Sequence, residues 1–368
     1  MSIRNFFGLA VILITVSGIL GFGYLQGQNK ELVSGDLATE SQSQAESVPV
    51  EELTSVEGYL GWEKKRFFQD EEVQAILADE YGLDVGISKK GSIEMVTEPT
   101  NGQDYLFPSN RIATELYRSR TGTGSETVFF SPIVVYTWDS LVDDLQTAGL
   151  VEVRDGIHYI DTNKLVTSIE AGTTWQEAGG RQLQGPIKVH STNPVKSSSG
   201  NLFSALVFSA MTEQYPPSTS NVTPETTERL QEFFRNMGLL ESSSSDLFEK
   251  FLTLGRSSYP LTVGYESQLI ELLNAETPGA DQIVPLYPEP TVWAEHGFIA
   301  LNDEGQALEE ALINNERLGE IAWEKYGLRR IGQSTGIARY ESNGIAPELG
   351  QVSDLPKVEV MEAITAGL

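Results

Sequence analysis

The sequence predicts an α/β protein whose body is divided between two lobes, and three features lead there. Short apolar runs alternate with stretches of helical periodicity, the order that builds a sheet flanked by helices. Two long extended runs, residues 128–138 and 283–301, bracket the middle of the chain as two crossings between lobes would. Glycine- and serine-containing loops recur where strands give way to helices, the place where such sheets gather their ligand contacts.

The chain has 368 residues, 40% of them hydrophobic, enough for two substantial cores. Phe6 to Leu25 carries no charge and has the length of a membrane-crossing helix. Arg4 precedes it, so the positive-inside rule puts the amino end in the cytoplasm and the body outside. A cleaved signal peptide is the rival reading, favoured by Gly18, Gly21 and Gly23; either way the body is extracytoplasmic, at the cell membrane if the helix stays. The stretch that follows is rich in Gln, Ser, Glu and Ala and reads as a solvated tether. The expected organisation is an anchor or signal over residues 1–26, a tether over 27–54, one lobe from 55–132 and 286–330, the other from 133–285, and a C-terminal extension over 331–368.

Within the body, "VEGYLG" reads as a strand and "EEVQAILADEYGL" as a helix, with Val73, Ile76, Leu77 and Tyr81 on one face and Gly82 as the stop. "LDVGI" leads to Gly91 and Ser92, and "YLFPSN" to a helix containing Ile112, Leu116 and Tyr117. "VFFSPIVVYTW" holds Pro132 and is therefore expected to be an extended crossing rather than one central strand. Thr223 as N-cap, Pro224 at the first helical position and Gly238 as terminator frame a helix with Leu230, Phe233, Phe234 and Met237 on its apolar face. "ESSSSD", Glu241 to Asp246, reads as a polar turn and nothing more. Val358 to Leu368 is amphipathic.

The charge balance excludes one class of partner. There are 52 acidic residues against 25 basic ones, a formal net charge of −27, so non-specific binding to nucleic acid lacks the cationic surface it needs. Without cysteine the chain has no disulfide, thiolate metal site or Cys nucleophile. No P-loop, GxGxxG or HExxH stretch occurs, and neither a cofactor nor a metal is expected. Three histidines remain: His190 could serve Ser197, Ser198 or Ser199 as a base in a hydrolase, and His296 reads as a hydrogen-bonded structural residue.

Against this acidity, no carboxylate occurs from Ala178 to Thr212, while Arg181, Lys188 and Lys196 do. A helix starting near "KSSSGN" would present free N–H groups, the positive end of its dipole, the hydroxyls of Ser197, Ser198 and Ser199, and close approach at Gly200. Such a loop can hold an anion, or it can cap its own helix. The pattern recurs at Lys89–Ser92 and at Ser109, Asn110 and Arg111. Trp62 and Lys64 follow the first strand, and Tyr265, Glu266 and Ser267 follow another. Trp62 and Tyr265 serve equally well as packing residues, and Glu266 suits an ammonium or hydroxyl better than an anion.

The order "GWEKKRFFQDEEVQAIL", "YLFPSN", "SPIVVYTW", "HSTNPVKSSSGNLFSAL", "VGYESQLIEL" and "AWEKYGL" resembles the bacterial extracellular solute-binding proteins of the bilobal type II kind, distantly the molybdate-binding proteins, over residues 54–328. The resemblance implies a Venus-flytrap receptor that closes two α/β lobes over a small polar or anionic solute and presents it to an ABC-type permease or a sensor. It implies contacts from Gly61 and Trp62, from Gly91 and Ser92, from Ser197 to Gly200 and from Tyr265. Trp62 stands where oxyanion binders usually have a small hydroxyl residue. A scaffold or signalling module of the same fold that reads a protein partner is the alternative.

Overall fold

The structure is a computed structural model that describes residues 53–331 and 337–368. The expected span and nearly all of the expected tether lie outside the described residues. No helix among the described residues is long and apolar enough to cross a membrane.

The chain opens with β1 (Thr54–Leu60), then α1 (Lys65–Phe68), α2 (Glu71–Tyr81), β2 (Leu83–Lys89), α3 (Ser92–Thr97), β3 (Tyr105–Phe107) and α4 (Arg111–Thr121). Asp70 caps α2 by accepting the Glu72 N–H at 2.9 Å, and Gly82 ends it in the left-handed region at φ 66°. β2 and β3 both pair with β1 in parallel. The long β4 (Glu126–Trp138) follows, then α5 (Asp139–Thr147), β5 (Val151–Arg154), β6 (Ile157–Asp161) and α6 (Thr162–Glu170). Next come α7 (Ser198–Thr212), α8 (Pro224–Met237), α9 (Ser244–Leu254), β7 (Thr262–Tyr265) and α10 (Glu266–Asn274). The chain finishes with β8 (Ile283–Glu289), β9 (Trp293–Ala300), α11 (Asp303–Asn314), α12 (Glu316–Tyr326) and α13 (Val358–Thr365). The helix framed by Thr223, Pro224 and Gly238 is α8, with its expected cap.

The strands run in the order β2-β1-β3-β9-β4-β8-β6-β5, with β7 also on β4. β4 is one continuous strand of 13 residues, where Pro132 suggested an extended crossing rather than one central strand. It survives the proline because its partners change there: Glu126–Pro132 pair with β9, and Ile133–Trp138 with β7 and β8. A missing N–H at a changeover interrupts the ladder where it is already interrupted. The second extended run is β8 and β9, separated by the cis Glu289–Pro290 bond and both antiparallel to β4.

Two large cores flank this junction. One packs Val56, Leu60, Phe67, Phe107, Phe129 and Phe298 under α1, α2, α11 and α12; the other packs Leu145, Ile160, Leu202, Leu206, Phe233 and Val263 around α7, which is buried along nearly its whole length. An all-round apolar helix belongs inside, and α7 is therefore held rigidly.

The C-terminal segment is fastened at the same junction. Thr291 exchanges backbone hydrogen bonds with Gln351 and Ser353, both 2.8 Å, and Arg329 does so with Phe130. The Arg329 guanidinium grips both Glu266 carboxylate oxygens at 2.8 and 2.7 Å and donates to the Ala346 carbonyl at 2.9 Å. Tyr287 donates to Glu266 and accepts the Ala346 N–H. α13 buries Val360, Met361 and Ile364 in the core around α7, and Val358 also reaches the small cluster at α3 and α4.

Candidate functional site

Gly61 follows β1 in extended conformation and begins a single turn, Trp62–Lys64. A Cβ at Gly61 would stand 2.4 Å from Glu63 Oε1 and 2.7 Å from Ser109 Oγ, so the glycine is what lets the Glu63 carboxylate fold back against the strand end. Lys64 then points inward and is fully buried. Its ammonium donates to Glu63 Oε1 at 2.5 Å and to Ser109 Oγ at 2.6 Å, and stands 4.8 Å from the Phe107 ring centre. Ser109 Oγ in turn donates to Glu63 Oε1. His296 Nδ1 lies 3.4 Å from the Lys64 ammonium, and its Nε2 has no partner among the described residues.

Burial sets the protonation of this group. Desolvation opposes the Glu63 charge, but Lys64, His296 and the hydrogen bonds more than reverse it and bring the carboxyl down to about 2. Burial, then the Lys64 charge, pushes His296 down to about 3, so it is neutral near pH 7. Burial also lowers Lys64, against the pull of Glu63.

Three further loops close on this turn. After β2, Gly91 touches the 193–197 loop: Ile93 N–H donates to the Lys196 carbonyl at 3.3 Å, and a Cβ at Gly91 would be 2.4 Å from that oxygen. After β3, Asn110 caps α4 through Ile112 N–H and donates to Asn201 Oδ1 at 2.8 Å, joining the starts of α4 and α7. At α7, Gly200 packs so tightly that a Cβ would meet the Thr192 carbonyl at 2.2 Å. Ser199 Oγ is taken by Thr192 and Ser197 at 2.8 and 3.2 Å. Ser198 Oγ, buried and facing the Tyr265 phenol, has no partner in hydrogen-bonding geometry. Burial and the Glu63 charge push the Tyr265 phenol well up, so it stays a neutral hydroxyl.

These loops line a cleft of about 240 Å³. Gly61, Trp62, Glu63, Lys89–Ser92 and Glu94 line one wall; Ser197, Ser198, Ser242–Ser244 and Tyr265 line the other. Of the sequence-predicted residues, Trp62, Gly91, Ser92, Ser197, Ser198 and Tyr265 are brought together there. Lys64, Ser109, Asn110, Ser199 and Gly200 stand behind the lining and support it, and Lys196 contributes its backbone carbonyl to the Gly91 contact. Glu266 faces elsewhere, into the Arg329 ion pair. Three contributors escaped the sequence reading. Glu63 stands between two residues that drew the attention, Glu94 follows Ser92 in α3, and the serine run read as a bare polar turn supplies Ser242, Ser243 and Ser244, with Ser243 capping α9. The signal for the last was available in the N-cap pattern of "SSSD" before an apolar run.

Cross-cleft ion pairs surround the opening. Lys89 holds Asp246 at 2.8 and 3.0 Å, and Lys196 approaches Glu94 at 3.9 Å. A larger open groove of about 700 Å³ lies over β5, β6 and Pro290, but it contains none of the predicted positions. His190 packs against the Tyr259 ring at 4.3 Å.

No protein-family profile matches the chain, and no curated protein matches it by sequence. Solved structures do. The sulfate-binding protein SubI from Mycobacterium tuberculosis H37Rv is similar at TM-score 0.52 and 13% identity, covering 85% of this chain and 96% of its own. A periplasmic thiamin binding protein is similar at TM-score 0.58 and 9% identity, covering 85% and 95%. A two-component system protein described as mediating signal transduction is similar at TM-score 0.51 and 13% identity, covering 84% and 100%. The shared property is the fold, the bilobal type II architecture of periplasmic solute-binding proteins, as the resemblance of sequence implied.

Proposed function

We propose that the protein captures a small polar solute outside the cytoplasm, in the cavity between the β1–β2 loops and the start of α7, and presents the closed form to a membrane partner. The observation that carries this reading is the cavity's construction: one wall is built from the loops after β1 and β2, the other from the starts of α7 and α9 and the end of β7, and a buried Ser198 hydroxyl beside the Tyr265 phenol belongs to its lining. Binding is non-covalent, and its free energy shifts an equilibrium between open and closed arrangements. The contacts of Gly91 with Lys196 and of Asn110 with Asn201 would form on closure.

Residues 6–25 would anchor the body to the membrane, with the body outside. An ABC-type permease is the partner of choice for a solute-binding fold. The fold neighbour from a two-component system favours a second reading, in which the receiver is a sensor.

Native mass spectrometry of freshly purified protein should reveal a co-purified small molecule. A thermal-shift screen over oxyanions, amino acids, sugars and amines should find at least one solute that stabilises the fold by about 2.7 kcal/mol at a hundredfold excess over its dissociation constant. A flat response across the library, with Ser198→Ala indistinguishable from wild type, rejects solute capture and favours a module that binds a protein.

A further inference from the structure

Resting on that reading, we infer that the solute is bipolar: it carries an ammonium or N–H group that meets Glu63 and an anionic group that meets the start of α7, as a free amino acid does.

Lys64, Ser109 and His296 all approach Glu63 at Oε1. Oε2 has no protein donor among the described residues, and Glu63 lines the cavity. An ionised carboxylate oxygen on the lining, with no protein donor, can take one from a guest. Across the cavity the requirement is opposite. The first turn of α7 leaves N–H groups of Ser198–Gly200 without backbone acceptors, and beside them the Ser198 hydroxyl is buried and unpartnered. The remaining charges on the lining are used elsewhere: Lys89 by Asp246, Lys90 by Glu98, Glu94 by Lys196. What is left is one acceptor pole and one donor pole.

A tetrahedral oxyanion fits this badly. It would satisfy α7 but set its charge against Glu63 at close quarters in a poorly screened site. Lys64 does not rescue it, because that ammonium lies behind the lining with its hydrogen bonds committed. A cavity of about 240 Å³ falls just below the usual ~300–1,000 Å³ of ligand sites, which also points to a small guest.

The test uses the twenty free amino acids, the amines and acids that lack one of their two charged groups, and sulfate and phosphate, each titrated into the full protein by calorimetry. At least one amino acid should bind, its deaminated acid and decarboxylated amine should each be at least tenfold weaker, and sulfate and phosphate should give no heat of binding. The Glu63→Gln, Lys64→Met double variant removes the ion pair as a unit and should lose at least tenfold for the amino acid while remaining folded by circular dichroism. Ser198→Ala, which leaves the pair intact, should also weaken the amino acid. If sulfate or phosphate binds wild type more tightly than any amino acid, or if only an uncharged sugar binds, the bipolar guest is wrong although solute capture stands. If nothing in this panel or the wider library binds, both fall.

Discussion

Replacing Glu266 by Ala tests whether this residue belongs to the framework or to the solute site. In the structure the side chain is fully buried, and its two oxygens take two guanidinium bonds from Arg329 and one from the Tyr287 hydroxyl. Truncation would leave Arg329 buried with the Ala346 carbonyl as the one remaining acceptor of its side chain among the described residues, and Tyr287 without its acceptor. Breaking a buried pair by removing one member costs about 3–5 kcal/mol, since the surviving charge keeps its desolvation penalty. With a urea m-value of about 3 kcal/mol/M, a loss of about 4 kcal/mol moves the unfolding midpoint down by roughly 1.3 M. Tryptophan fluorescence would follow the transition, and Trp293 and Trp323 lie close enough to Arg329 to report on it. The Glu266→Leu, Arg329→Met double variant should recover most of the loss, because neither charge is then left alone. A Glu266→Ala protein destabilised by less than about 1 kcal/mol would refute the reasoning; one of full stability that no longer binds solute would put the carboxylate in the ligand shell instead.

Gly91→Ala should weaken solute binding at least tenfold with little effect on unfolding, since its Cβ clashes with the Lys196 carbonyl at 2.4 Å only when the two loops meet; calorimetry and urea titration separate the two effects. Stability should fall as pH drops from about 6.5 toward 3. His296 stays neutral in the fold down to about 3 while the unfolded chain takes up its proton near the ordinary 6.5, so acid favours unfolding by on the order of 4 kcal/mol across that window. Glu63 adds to this below about 4.5, where the unfolded carboxylate protonates and the folded one does not until about 2. Midpoints measured at a series of pH values check the slope, and His296→Phe should flatten its upper part. Met361→Ala, on the buried face of α13, should cost about 2–5 kcal/mol by the cavity it leaves, read from the same denaturation curve.

Much of the fold was legible because its signals are local. Val73, Leu77 and Gly82, or Thr223, Pro224 and Gly238, state a helix and its end within a dozen residues, and the structure follows them. Pro132 misled because its tolerance depends on a change of strand partners that only the pairing of distant segments creates. The cavity was half legible for the same reason. Gly91, Ser92, Ser197 and Ser198 announce themselves by a loop composition that departs from an acidic chain, and they meet. Glu266 looked suited to an ammonium, yet Arg329, 63 residues on, claims it; Glu63 takes up the acceptor's place on the lining. Nothing in a neighbour list along the chain distinguishes two carboxylates whose difference is which distant cation reaches them first.

The final helix lies where the two walls could part. Its apolar face is sunk beside α7, while Val358 at its first turn also touches the cluster of α3 and α4, and the strand-like piece before it is stitched to Thr291 between β8 and β9. Widening the cavity must therefore either drag this helix along with one wall or prise Val358 off the other. If the cavity opens and closes, the two arrangements would then differ on the outer surface in the seating of a single short rod that another molecule could feel.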